Sequence, residues 1–180
     1  MRAGSAIRAL ALVSLGFPQC NEDPGQMKQV LELLLNQKPH VKVYNSDGIL
    51  ERMVSGDVAI HMVWNGYAMR TRKQKPSIQY AYSKEGVLSW ADNLVVPKDA
   101  KNKASAIKFI EFMLKPENAG FQSNFARYSN GIKGSAAFMD DELKSAPEMK
   151  VPAGVASVFP MSCPEKSIKL YDRVWTKLKQ

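Results

Sequence analysis

The segment Val58-Ala-Ile-His-Met-Val-Trp64 most narrows what this chain can fold into. On an extended strand Val58, Ile60, Met62 and Trp64 share one face, and Ala59, His61 and Val63 the other. Both faces are largely apolar, which suits a strand covered by helices on both sides of a sheet. Further strands are predicted at 41–44, 78–82 and 94–96, with helical patterns between them. Strands alternating with helices predict an α/β architecture.

The helices carry their own punctuation. Asp23-Pro24 is a start signal, a carboxylate able to accept orphan N–H groups followed by a proline in the first turn. Met27, Val30, Leu31 and Leu34 then mark one face, and Lys38-Pro39 ends the helix. Ile49, Leu50, Met53 and Val54 predict a short helix within 45–55, closed by Gly56. Asn102 caps a predicted helix over 103–115 whose inward face is Ala106, Phe109, Ile110, Met113 and Leu114. Pro116 opens the next, to about Ala126, and residues 129–163 read as irregular. Pro164 opens the last helix, with Ile168, Tyr171, Val174, Trp175 and Leu178 inward.

At the N-terminus, Met1-Arg2 followed by Ala9-Leu-Ala-Leu-Val13 has the outline of a weak leader. Arg8 interrupts its apolar run and no small-x-small cleavage site follows. Ala3, Ile7, Leu10, Ala11 and Leu15 fall at helical spacing instead. A short amphipathic helix stopping at Gly16 and Pro18 is predicted, without an export signal.

Composition removes several function classes. A chain of 180 residues holds one domain or two small lobes, and 45% hydrophobic with 23% charged residues excludes disorder along its whole length. Two cysteines, Cys20 and Cys163, cannot build a disulfide-dense scaffold, and no Cys/His cluster offers a zinc site. Whether these two cysteines meet stays open. Basic residues outnumber acidic ones, 25 to 17, for a net charge of +8. The dense cluster Arg70, Arg72, Lys73 and Lys75, closed by Pro76, reads as a solvated loop. No nucleic-acid-binding module accompanies it, so no nucleic-acid partner is expected.

Catalytic patterns are equally scarce. There is no G-x-S-x-G, P-loop, G-x-G-x-x-G or H-E-x-x-H. His61, in mid-strand, reads as a structural histidine, and Asp140-Asp141-Glu142 as a surface helix start. No enzyme activity, cofactor or metal is expected. Trp64 and Trp90 stand out more, because each lies at a strand end or turn, where clefts form in α/β sheets. An indole face attracts cations, and a neighbouring carboxylate such as Asp92 can hold an ammonium. Tyr128, after a helix, offers another aromatic wall. Large aromatics also fill cores, and spacing alone leaves both readings open.

An ordered set of motifs carries a resemblance. Tyr44-Asn-Ser-Asp47, Met53-Val-Ser-Gly-Asp-Val-Ala-Ile60, Val63-Trp-Asn-Gly66, Lys84-Glu-Gly86, Trp90-Ala-Asp92, Val96-Pro-Lys-Asp-Ala-Lys-Asn-Lys103 and Phe112-Met-Leu-Lys-Pro116 follow one another, and Tyr171-Asp-Arg-Val-Trp-Thr-Lys-Leu-Lys179 closes the chain. Together they resemble the C-terminal half of the polyamine-binding (spermidine/putrescine) solute-binding proteins of bacterial ABC importers. The resemblance implies a type II periplasmic-binding fold, here a truncated α/β lobe lacking most of the N-terminal lobe. Residues 1–91 with 138–180 would form one lobe, and 92–137 an excursion belonging to the other.

The same resemblance implies a small cationic amine of the putrescine/spermidine class as ligand. Trp64 and Trp90 fall on binding aromatics, Asp92 on an ammonium-binding carboxylate, Tyr128 on a binding tyrosine, and Glu85 just before the site. An ABC importer is an implied partner. The family works in the periplasm; the lack of an evident signal leaves the cytoplasm as the other expectation. The rival reading is a structural or interaction protein that kept the fold as a homo-oligomer. Its motive is the apolar face of helix 103–115, which a dimer would bury.

Overall fold

Hydrophobic faces at helical spacing decide most of what the chain builds. The computed structural model describes residues 3–180, with side chains from Ile7 onward. Met1 and Arg2 of the leader-like pattern, and the Ala3 side chain expected on the first helical face, lie outside the described residues. The described chain forms two compact units. One takes the residues up to Gly48, Tyr82–Trp90 and Pro152–Gln180; the other takes Ile49–Ala81 and Ala91–Val151. Residues 49–81 and 138–151 thus group with 91–137, whereas the resemblance implies one lobe of 1–91 with 138–180.

The first unit is a three-helix packing. α1 (Ala3–Ser14), α2 (Pro24–Gln37) and α8 (Glu165–Lys179) bury Ala11, Leu12, Met27, Val30, Leu34, Val174 and Leu178 among themselves. Asp23 caps α2 as its sequence predicts, accepting from the N–H groups of Gly25 at 2.6 Å and Gln26 at 3.0 Å. Tyr44 meets Trp175 edge to face, 5.8 Å between ring centres. Cys20 and Cys163 are joined in a disulfide, which settles the open pairing. Beside it, Ser167 donates to the Cys20 carbonyl at 2.9 Å. That bond turns Ser167 inward and leaves Ile168, expected inside, 46% exposed. Two short strands, β1 (Val87–Leu88) and β2 (Ser157–Val158), pair in parallel, Val87 opposite Ser157 and Leu88 opposite Val158.

The second unit contains α3 (Ile49–Ser55), α4 (Asn65–Gln74), α5 (Lys103–Met113), α6 (Pro116–Ala126) and α7 (Asp141–Ser145), with 3-10 turns at Ser135–Phe138 and Pro147–Met149. Its buried apolar cluster is small: Met69, Leu143 and Ala146, flanked by Met139 and Met149. Polar links complete it. Arg72 grips Glu148 with two bonds, 2.7 Å from Nε and 3.0 Å from Nη2, and the Glu148 side chain is 0% exposed. Asn130 binds Ser123, Ser135 and the Ala119 carbonyl, which holds α6 to the 3-10 turn at 135–138.

Three expectations change. The predicted strands at 41–44, 58–64, 78–82 and 94–96 have no assigned ladder; β1 and β2 are the strands among the described residues. An apolar alternating pattern says what a segment can bury, but a strand also needs a neighbour's N–H and C=O groups. Ile60 remains 89% exposed and Val95 81%. Secondly, Asn65-Gly66 opens α4 rather than a polar loop, so Arg70, Arg72 and Lys73 are helical. Buried Ala68, Met69 and Thr71 anchor that helix. Thirdly, no residue of α5 is buried, and Phe109 is 56% exposed. Among the described residues no helix is long and apolar enough to cross a membrane.

Candidate functional site

The start of α4 gathers most of the aromatic residues singled out by sequence. Trp64 is its N-cap residue, in extended conformation, and its carbonyl accepts from Ala68 N–H at 2.9 Å. Tyr67 follows one turn later, with its ring 5.9 Å from that of Trp64. Such i,i+3 neighbours lie on the same helical face. Thr71 donates back to the Tyr67 carbonyl at 2.8 Å, and Asn65 reaches the Glu148 carbonyl at 3.3 Å. The Arg72–Glu148 pair fastens the far end of the same contact, so α4 is tied at both ends.

Tyr128 arrives from α6. Arg127 ends that helix in the left-handed conformation, φ 63, and its guanidinium lies 3.1 Å from Asp140 and 3.6 Å from Glu142. The Tyr128 ring then lies against the backbone of Gly66. A Cβ at that position would stand 2.6 Å from the ring and 2.8 Å from the Arg127 carbonyl, so only glycine allows this approach. A hydrogen bond with the Tyr67 backbone also links Tyr128 to α4. Burial pushes the Tyr128 phenol above its ordinary pKa; Arg70 opposes the rise and Asp92 adds to it. Both charges therefore lie within electrostatic reach of the phenol.

Of the five expected site residues, Trp64, Asp92 and Tyr128 lie in this second unit. Trp90 and Glu85 lie in the first unit, with Trp90 38% exposed. Glu85 sits in the turn before β1; a hydrogen bond from Ser83 is the main cause holding its carboxyl below the usual range. His61, expected in mid-strand, lies outside the assigned strands; its Nε2 accepts from Arg52 at 3.3 Å and its Nδ1 donates to the Met62 carbonyl at 2.7 Å. Among the described residues no group of His, Cys, Asp or Glu could hold a metal ion. A shallow depression of about 490 Å³, lined by Met53, Val58, Ala59, Lys75 and Ile78, contains none of the expected residues and no carboxylate.

Two residues at the site escaped the sequence reading, Tyr67 and Arg70. The Arg70 guanidinium lies 4.2 Å from the Tyr67 ring centre and 6.0 Å from that of Tyr128, and it donates to the Ala126 carbonyl at 2.8 Å. The signal was present, since Trp64, Tyr67 and Arg70 recur every three residues. It stays hidden while the segment is read as a loop. The other cations of that cluster are engaged as well: Lys73 with Glu142 at 3.6 Å and Lys75 with the Val54 carbonyl at 3.2 Å.

Comparison with known proteins points one way. The family model described as bacterial extracellular solute-binding protein matches residues 4–151. The chain is 27% identical over 179 residues to a putrescine/agmatine-binding protein of Pseudomonas aeruginosa, covering 95% of this chain and 49% of that one. It is 36% identical over 110 residues to the spermidine/putrescine-binding periplasmic protein of Salmonella typhimurium, covering 61% and 32%. It is 28% identical over 156 residues to the putrescine-binding periplasmic protein PotF of Escherichia coli, covering 82% and 42%. The chain spans about half the length, or less, of these relatives.

Proposed function

Because the chain belongs to the bacterial extracellular solute-binding proteins, we propose that it binds a small cationic amine of the putrescine/spermidine class as part of transport. The observation that carries this reading is the meeting of Trp64, Tyr67 and Tyr128 at the start of α4, with Asp92 within electrostatic reach of Tyr128. Aromatic faces attract an ammonium by roughly 0.5–2 kcal/mol each, and a charge-assisted hydrogen bond to a carboxylate contributes about 1.5–3 kcal/mol. Trp90 and Glu85 enter the proposal on the family resemblance alone. A type II periplasmic-binding fold is the architecture proposed, with 1–91 and 138–180 in one lobe and 92–137 in the other. In that setting 58–64 and 78–82 would gain ladder partners.

Periplasmic work and delivery to an ABC importer follow from the same reading. The relatives from Salmonella and Escherichia are named as periplasmic proteins, and a disulfide such as Cys20–Cys163 persists in oxidising compartments. Calorimetry with putrescine and spermidine tests the proposal, on the wild type and on Trp90→Ala with Asp92→Asn. Affinity on the order of 0.1 mM, lost in the double variant, is expected, because ordering costs offset much of the contact energy. Tight binding that survives both substitutions would place the site elsewhere.

A second reading, an interaction protein working as an oligomer, is favoured by one observation. Phe109, Phe112 and Leu114 at α5 and Phe121 and Phe125 on α6 are all about half exposed or more. Light scattering across a concentration series, with and without amine, separates the two. A dimer indifferent to amine supports the second reading.

A further inference from the structure

Among the described residues two that are not glycine hold a positive φ, Cys20 with φ 56 and Arg127 with φ 63. The first is held by its disulfide to Cys163. Arg127 stands where a helix ordinarily ends on glycine, because a Cβ disfavours the left-handed conformation. Its own N–H donates to the Ser123 carbonyl at 2.7 Å, and its side chain, 15% exposed, turns to the start of α7. One guanidinium nitrogen, Nη1, lies 3.1 Å from Asp140 and 3.6 Å from Glu142. Both acidic residues have a second anchor: the Asp140 N–H donates to Asn124 at 2.8 Å, and the Glu142 carboxylate also meets Lys73 of α4 at 3.6 Å. Lys73, Glu142, Arg127 and Asp140 thus form a chain of charges from α4 to the end of α6.

We propose that Arg127 is a positioning residue, whose pairs with Asp140 and Glu142 fix the left-handed turn after α6 and so hold the Tyr128 ring in place as a wall of the amine site. This inference rests on the amine-binding reading above and deepens it by naming what sets one of its aromatic faces. Tyr128 is the next residue, so the backbone angles of Arg127 set the direction in which it leaves the helix. The fit there is close. Gly66 admits the ring and the Arg127 carbonyl because it has no Cβ, which would lie 2.6 Å from the one and 2.8 Å from the other. Arg70 ties the last turn of α6 to α4 through the Ala126 carbonyl, but that bond acts one residue short of the left-handed turn. A sparsely populated backbone conformation persists where surrounding contacts over-determine it. The charge chain supplies such contacts, charge-assisted and partly shielded from water. Through Lys73 it is bound to the same helix that starts after Trp64 and carries Tyr67.

An NMR titration with putrescine is the experiment, because it reads affinity together with the contact between the Tyr128 ring and the Gly66 α-protons. Arg127→Asn removes the charge and keeps a residue that tolerates positive φ. It should weaken putrescine binding roughly tenfold, the weight of one aromatic face, and lose the ring contact. Arg127→Lys should restore most of the affinity, since a single nitrogen meets both carboxylates. Asp140→Asn with Glu142→Gln should weaken binding as Arg127→Asn does. A mere charge effect on a cationic ligand gives opposite signs instead, tighter binding without Arg127 and weaker binding without the carboxylates, and that result overturns the proposal. So does a comparable further loss when Arg127→Asn is made in a Tyr128→Ala background, where nothing is left to position. Arg127→Gly serves if Arg127→Asn does not fold. Affinity unchanged within about twofold in these neutral variants overturns the role of Arg127 alone. Putrescine bound by none of the proteins overturns the amine-binding reading, and this inference with it.

Discussion

The two units of this chain are held together by different physics. In the first, three helices bury Leu12, Val30 and Leu178 almost completely, and a disulfide joins Cys20 to Cys163. In the second, the buried apolar cluster is small, and an ion pair with a 0% exposed carboxylate partner secures α4 to the turn at Pro147–Met149. The second also carries the most exposed large apolar side chains, Ile60 at 89%, Phe125 at 87% and Val95 at 81%. Apolar burial contributes in proportion to area and needs no exact geometry. A buried ion pair contributes only while both partners stay in place. The unit with the candidate residues of α4 therefore depends on a few directional contacts.

Removing the disulfide should give the largest effect. Cys20 and Cys163 are 143 residues apart, and loop closure over that span restricts the unfolded chain strongly. The chain-entropy argument predicts a loss of about 4–5 kcal/mol in a Cys20→Ala, Cys163→Ala variant. Urea unfolding followed by Trp fluorescence, with and without reductant, measures it. An unchanged midpoint would mean that the helical core alone sustains the first unit.

Arg72→Ala should come next. It leaves the Glu148 carboxylate buried without its guanidinium, and the loss should be about 3 kcal/mol, at the lower end for buried pairs because Arg72 is 33% exposed. Hydrogen exchange locates the damage. Faster exchange in α4 and the turn at 147–149, with α2 and α8 unaffected, would sharpen the contrast between the units. A uniform change along the chain would break it.

The smallest effect is alkaline and touches both units. Tyr44 and Tyr128, one in each, have phenol pKa values pushed up chiefly by burial. The folded state then holds these protons more tightly than the unfolded state. Their contribution is complete below the ordinary tyrosine value of about 10 and is lost as pH rises through the higher folded values. Urea midpoints measured from pH 8 upward should fall beyond about pH 10. Tyr128→Phe and Tyr44→Phe should each flatten that fall, and a fall unaffected by either would assign it to other groups.

Local chemistry was enough for most of the helices, though not for α4, which reads as a polar loop. Asp23-Pro24 and Pro164 lie at helix starts, as does Asn102, although the Asn102 side chain makes no capping hydrogen bond; Gly56 follows a helix end, and the inward face of α2 is the one its spacing predicts. Each of these signals acts within a turn or two of the backbone, so the sequence by itself determines it. Trp64 and Tyr128 were legible as aromatics beside chain reversals, and the ordered motifs pointed to the family. The rest needed contacts between distant residues. Whether 58–64 becomes a strand depends on a partner's hydrogen bonds, which no pattern within the segment supplies. Arg70 looked like one cation among four until Tyr67, Tyr128 and the Ala126 carbonyl surrounded it. The Cys20–Cys163 bond and the Arg72–Glu148 pair join residues 143 and 76 positions apart. Tertiary structure alone decided these, because a charge or a thiol acquires its role from what stands next to it in space.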